Sequence, residues 1–189
     1  KHNVLNALAT ISMSDYYGID KEVIRKSMLE YTGASRRMEY KGKVNGAKIF
    51  DDYGHHPTEV LATAKAITNK KFDKSWVVFQ PHTYSRTKAH LKDFAKALLS
   101  FDNIIVTDIY AAREKNTFDI SSKDLVDEII KLEKDAKYIS DFDEIVKLLK
   151  ENVKENDIIS FKRCGKFKIG NIIGTTRSGK IILKIKKYI

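Results

Sequence analysis

From residue 57 onward, helical patterns and short apolar runs take turns, and this alternation restricts the possible folds more than any other property of the chain. Helical periodicity begins near Pro57, Thr87, Ser121 and Asp141, and the apolar runs 76–79, 104–106, 138–139 and 158–161 lie between. Pro57 suits a first helical turn, and Ser121 with Asp124 forms a capping box. Strands separated by helices pack as an α/β sheet with helices on its faces. Just upstream, residues 37–44 and 47–51 flank Asn45-Gly46, a dipeptide that supplies the positive φ angles of a tight hairpin. The expected sheet is therefore mixed, mainly parallel, and opened by a β-hairpin.

A different pattern precedes the hairpin. Val4, Leu5, Leu8 and Ile11 recur at helical spacing over residues 3–13, with Gly18 as a stop signal, which predicts a buried helix. Asp20 reads as the N-cap of a second helix through Glu30, closed by Gly33. No cap leads Lys1, so residues 1–33 are expected to be the helical tail of a preceding domain and residues 34–189 a domain of their own. With 42% hydrophobic residues and two prolines, the chain has enough apolar material for a core.

Composition also bears on function. The chain has neither an apolar run of 18 residues nor a signal-like start, so a soluble protein without a membrane partner is expected. The single cysteine, Cys164, fits a reducing cytoplasm. A net charge of +10 admits a basic nucleic-acid-binding module. Against it, lysines interleave with acids over residues 123–137, as on a solvated helix face, and the basic stretch 180–187 alternates with isoleucine and leucine like a strand.

Chemistry-bearing residues gather at three strand ends. Asp51-Asp52-Tyr53-Gly54-His55-His56-Pro57 follows one strand, Gln80-Pro81-His82-Thr83-Tyr84-Ser85-Arg86-Thr87 the next, and Asp108 to Glu114 a third. In α/β sheets ligands collect beyond the carboxyl ends of the strands, so one shared site is expected. Each cluster has a plainer reading, since Asp51 or Asp52 could cap the following helix. Zinc bound by His55, His56 and His82 is disfavoured because adjacent residues of an extended chain point to opposite sides. The segment Gly174 to Lys180 imitates a phosphate-binding loop but fails at Ile181, where a hydroxyl side chain is needed, and no dinucleotide fingerprint occurs.

The stretches Asp51 to Glu59 and Gln80 to Thr87 resemble signatures of the Mur ligase family, in its alanine-adding branch. Two more agree in order: His2 to Ala9 is similar to the family's adenine-side helix, and Gly33 to Glu39 to the linker into the C-terminal domain. The resemblance implies a Rossmann-like C-terminal domain over residues 34–189, with residues 1–33 closing the central ATPase domain. It implies an ADP-forming ligase that uses ATP and Mg2+ to join L-alanine to UDP-N-acetylmuramate through an acyl phosphate in cell-wall synthesis. By the same resemblance His2, Asn3 and Asn6 approach the adenine, Asp52 the ribose and Arg37 the γ-phosphate. Tyr53, His55, His82 and Arg86 surround L-alanine, with Arg37 and His55 as the catalytic pair and no metal ligand in this chain.

Two departures stand out. Thr83 occupies a place where some relatives carry a second arginine, and residues 161–166 replace an expected small, glycine-rich strand end. The phosphate-binding loop and Mg2+ ligands of the central domain and the sugar-binding N-terminal domain are expected elsewhere, so the chain is expected to be inactive alone. The alternative within the same chemistry is a murein peptide ligase; a third reading is an isolated nucleotide-binding interaction domain.

Overall fold

The computed structural model describes residues 2–31, 33–68 and 71–163, with the side chains of His2 and Asn3 left aside. The readings made for Cys164, residues 174–181 and residues 180–187 lie outside these. The chain forms two compact units, Lys1–Ser35 and Arg36–Ile189.

The first unit holds α1 (His2–Tyr16) and α2 (Lys21–Glu30). Asp20 caps α2 as expected, its carboxylate accepting from the backbone N–H groups of Glu22 and Val23. The expected burial of α1 is not observed: Val4, Leu5, Leu8 and Met13 are each more than half exposed. A pair of helices has too few apolar neighbours to cover both faces.

The second unit opens with β1 (Glu39–Val44) and β2 (Ala47–Asp52), paired antiparallel with Val44 opposite Ala47. Asn45 and Gly46 take φ of 49° and 88°, the pattern the two-residue turn demands. A Cβ at Gly46 would stand 2.9 Å from Glu155 Cγ in a backbone region that disfavours side chains. Gly46→Ala should therefore cost about 1 to 3 kcal/mol, read as a lower urea midpoint with an unchanged slope. A bulge between Tyr40 and Gly42 breaks the register on the outer strand.

Then follow α3 (Pro57–Thr68), β3 (Ser75–Phe79), α4 (Tyr84–Ala89), α5 (Leu91–Leu98), β4 (Asn103–Val106), α6 (Ser122–Ile130), β5 (Ala136–Tyr138), α7 (Phe142–Asn152) and β6 (Ile158–Lys162). The sheet order is β1-β2-β6-β3-β4-β5, parallel throughout except at the hairpin. Alternation sorts the strand residues by face. Phe50, Val77, Phe79 and Val106 pack with Val60 and Ile67 of α3, Phe94 and Leu98 of α5 and Leu125 and Ile129 of α6. Ile49, Val78, Ile105, Ile159 and Phe161 pack with Ile145, Val146 and Leu149 of α7 on the other face.

The helix expected near Thr87 begins instead at Tyr84 and restarts at Leu91, with His90 as the joint. Thr83, at φ 64° and ψ 146°, turns the chain off β3 early, and its carbonyl accepts from both the N–H and the hydroxyl of Thr87. The Ser121/Asp124 box lies where the sequence puts it, and the helix expected near Asp141 starts there, with the Asp141 carboxylate accepting from the Asp143 N–H. Among the described residues no helix is long and apolar enough to cross a membrane.

Candidate active site

Because β6 is inserted between β2 and β3, the carboxyl ends of these strands place Asp51 and Asp52 beside Lys162 and Arg163. Asp51 is gripped by Arg163, whose Nη2 and Nε lie 2.9 and 3.1 Å from its two oxygens, with Arg36 Nε at 3.8 Å. Asp52 accepts from Lys162 Nζ at 3.2 Å, from the Gly54 N–H at 2.7 Å and from the Thr63 hydroxyl at 2.9 Å. Neither aspartate caps α3, which corrects the plainer reading. Lys162 is fully buried, and desolvation lowers its pKa although the Asp52 charge works the other way. A side chain at residue 54 would collide with the Lys162 ammonium and sit 3.0 Å from Glu59 Cβ, so the close approach of strand and loop requires glycine there.

The task of capping α3 falls to Glu59, in its first turn. One carboxylate oxygen, Oε2, accepts the N–H groups of His55 at 2.9 Å and His56 at 3.1 Å, while the other, Oε1, meets Arg37 Nη1 at 3.2 Å. Partial burial opposes ionisation, but those N–H bonds and the Arg37 guanidinium outweigh it and hold the Glu59 pKa at about 2. Tyr53 lies between two partners, with the Arg36 guanidinium 4.7 Å from its ring centre and the His55 ring 5.2 Å away.

From the next strand, His82 faces His55 with ring centres 5.3 Å apart and stacks on Tyr110 at 5.7 Å. Arg86, one helical turn on, places Nη1 2.8 Å from His82 Nδ1. A guanidinium can only donate, so His82 Nδ1 accepts and the neutral ring carries its proton on Nε2. Burial, then the nearby Arg86 and His55, push the His82 pKa below its ordinary value, which keeps that neutral form in place. The His55 ring is set in the opposite sense: Nδ1 lies 3.2 Å from the Tyr53 carbonyl, an acceptor, so in the neutral ring Nδ1 bears the proton and Nε2 the lone pair. Glu114 orders α4 by accepting from the Ser85 backbone N–H and hydroxyl, and those bonds lower its pKa.

Of the residues named from sequence, the structure thus brings together Tyr53, His55, His82 and Arg86, with Arg37 joined to the group through Glu59. Asp52 is buried among internal partners. Asn6 lies exposed on α1 in the first unit, where its carbonyl accepts from the Thr10 hydroxyl, and His2 belongs to the same helix. The sequence reading missed Glu59, Lys162 and Arg36 as parts of the site, and it included Tyr110 and Glu114 only as members of the third strand-end cluster, without a role for either. Glu59 was signalled by its place three residues after His56, the spacing of a reciprocal cap.

The three candidate zinc histidines do not converge, since the ring of His56 meets that of His90 at 4.9 Å. No group of three or more His, Cys, Asp or Glu among the described residues is placed to hold a metal ion.

Comparison with known proteins extends this picture. Residues 36–163 match the family described as Mur ligase, glutamate ligase domain. The UDP-N-acetylmuramate--L-alanine ligase of Caldanaerobacter subterraneus subsp. tengcongensis is 52% identical over 159 residues, covering 84% of this chain and 35% of the relative. Among solved structures, the UDP-N-acetylmuramate-alanine ligase of Thermotoga maritima gives a TM-score of 0.67 at 31% identity over 87% of this chain and 35% of that one. A murein peptide ligase from Psychrobacter arcticus gives 0.64 at 26% identity, covering 85% and 33%. The chain spans about a third of the length of the curated relatives it matches.

Proposed function

We propose, from the premise that this chain belongs to the Mur ligase family, that it supplies the amino-acid half of an ATP-dependent reaction centre joining L-alanine to UDP-N-acetylmuramate. In this reading residues 34–189 form the C-terminal domain, residues 1–33 end the central one, and the remainder of a cytoplasmic enzyme holds the sugar nucleotide, the ATP phosphates and Mg2+. One observation carries the assignment: a cation, a ring that donates and a ring that accepts stand together on Arg86, His82 and His55.

Those three groups match what an α-amino acid presents. Arg86 keeps guanidinium N–H groups beyond the one given to His82 and pairs with the carboxylate. His82 Nε2–H donates to an oxygen of the substrate. The ammonium nitrogen must lose a proton before it can attack, and the His55 Nε2 lone pair receives it. The freed amine adds to the carbonyl carbon of an acyl phosphate, and the tetrahedral adduct expels phosphate to leave an amide. Tyr53, held edge-on to His55, walls a space for a methyl-sized side chain.

Arg37 is the candidate for the phosphoryl end, where a fixed cation offsets developing charge. Its Glu59 partner must yield for that contact to form. ATP supplies the energy that converts a carboxylate into an acyl phosphate. Asp51, Asp52 and Glu59 already face Arg163, Lys162 and Arg37, so they do not fit a Mg2+ site and no Mg2+ step is assigned to this chain. Within the family reading, Asp52 reaches a ribose only by exchanging one of its internal partners. His2, Asn3 and Asn6 remain the candidates for the adenine side.

An NMR titration of the labelled chain with L-alanine and D-alanine tests the reading. The amides of residues 53–56 and 82–87 should shift with the L form at least several-fold more than with the D form. Equal responses to both, or shifts confined to other regions, would count against an amino-acid site here. In the full-length protein, faster turnover with a tripeptide than with L-alanine would favour the murein peptide ligase instead.

A further inference from the structure

Glu59 touches both ends of the proposed centre, yet its carboxylate takes no part in the bond-making steps above. Its Oε2 fixes the backbone of His55 and His56, and the His55 ring nitrogen Nδ1 stands 4.0 Å away. Its Oε1 holds Arg37, whose side chain is about half exposed. The Glu59 backbone is tied in turn, because its carbonyl accepts from the buried Lys162 ammonium at 3.3 Å, which also grips Asp52. The carboxylate therefore rests on a rigid base while the arginine it holds faces solvent.

We propose that Glu59 is a positioning residue with two separable tasks: its hydrogen bonds aim His55, and its charge parks Arg37 until a polyphosphate competes for that arginine. This deepens the reading of Arg37 as the phosphoryl-facing cation and rests on it. An anion arriving at Arg37 must displace one carboxylate oxygen of Glu59, whereas the two backbone N–H bonds go to the other oxygen and need not break. Arg37 can thus change partner without disturbing the loop that carries His55. The ion pair is open to solvent, with Arg37 54% and Glu59 32% exposed, and correspondingly weak, which suits a contact made to be exchanged. The charged and titratable groups facing Glu59 are the Arg37 guanidinium, the His55 ring and, through its carbonyl, the Lys162 ammonium.

The substitution Glu59→Gln separates the tasks, since the amide oxygen still accepts N–H bonds and the negative charge is gone. Inorganic triphosphate serves as the probe, having a phosphate tail and no adenine, and binding is followed by NMR on the whole chain. Glu59→Gln should bind triphosphate about two- to fivefold more tightly than the parent, and the gain should vanish when Arg37→Ala is added. L-alanine shifts at residues 53–56 should persist in Glu59→Gln and weaken in Glu59→Ala, which loses the cap. A gain that survives Arg37→Ala would overturn the proposal, because any lost negative charge would then suffice. Triphosphate binding that depends on Arg37 but not on Glu59 would also overturn it, leaving the phosphoryl reading of Arg37 intact. If Arg37→Ala alone leaves triphosphate binding unchanged, that reading of Arg37 falls and the parking role falls with it.

Discussion

Asp52→Ala should lower the unfolding free energy by about 3 to 5 kcal/mol, because it leaves the Lys162 ammonium buried without its counter-charge. Urea unfolding monitored at Trp76 would measure the loss. The charge is responsible for part of this: the double variant Asp52→Leu/Lys162→Met should regain the share due to the unpaired ammonium, but not the share due to the Gly54 N–H and Thr63 hydroxyl left without their acceptor. Lys162 also makes the stability of the parent depend on pH in a fixed direction. Burial holds the folded Lys162 below the ordinary lysine value of 10.5. Between those two values the unfolded chain binds a proton that the folded chain has released, so stability rises with pH across the window. Asp52→Ala removes the charge that counters burial, so the variant's folded Lys162 value falls further and its deficit shrinks as pH rises from the variant's folded value to the parent's. A deficit that grows as pH rises would contradict the burial of a charged lysine.

Arg86→Ala should weaken L-alanine binding at least about tenfold, given the roughly 1.5 to 3 kcal/mol carried by hydrogen bonds to charged groups, while leaving the fold intact. Arg86→Lys should restore little, since an ammonium lacks the planar fork that meets a carboxylate with two parallel bonds. The same variant deprives His82 Nδ1 of its donor. The ring is then free to change tautomer, and discrimination between L- and D-alanine should narrow along with affinity. Titrations with both isomers read the two effects separately, and unchanged affinity in Arg86→Ala would remove the arginine from the site.

Much of this arrangement was legible in the sequence because its signals are local. Asn45-Gly46, the Ser121/Asp124 box and the Asp20 cap each involve residues a few positions apart, and all three form as read. The polar clusters after β2 and β3 were likewise legible as a shared site, since parallel strands must deliver their carboxyl ends to one edge. What escaped was long-range. Nothing near Lys162 announces that β6 is inserted between β2 and β3, so a basic pair in an apolar strand looked like a departure when it is the counter-charge of Asp51 and Asp52, more than a hundred residues away. The same pairing explains why neither aspartate caps α3. For α1 the reverse holds: its apolar period was read correctly, but periodicity says only that a face is apolar, not that a partner within the chain covers it.

The bulge on β1 has a bearing on how copies of this chain meet one another. An outer strand with a straight run of free N–H and C=O groups is a template for edge-to-edge aggregation. Here the ladder is interrupted between Tyr40 and Gly42, lysines stand at 41 and 43, and the opposite edge, β5, is three residues long. Among the described residues, neither border of the sheet presents an uninterrupted ladder for a second chain to extend.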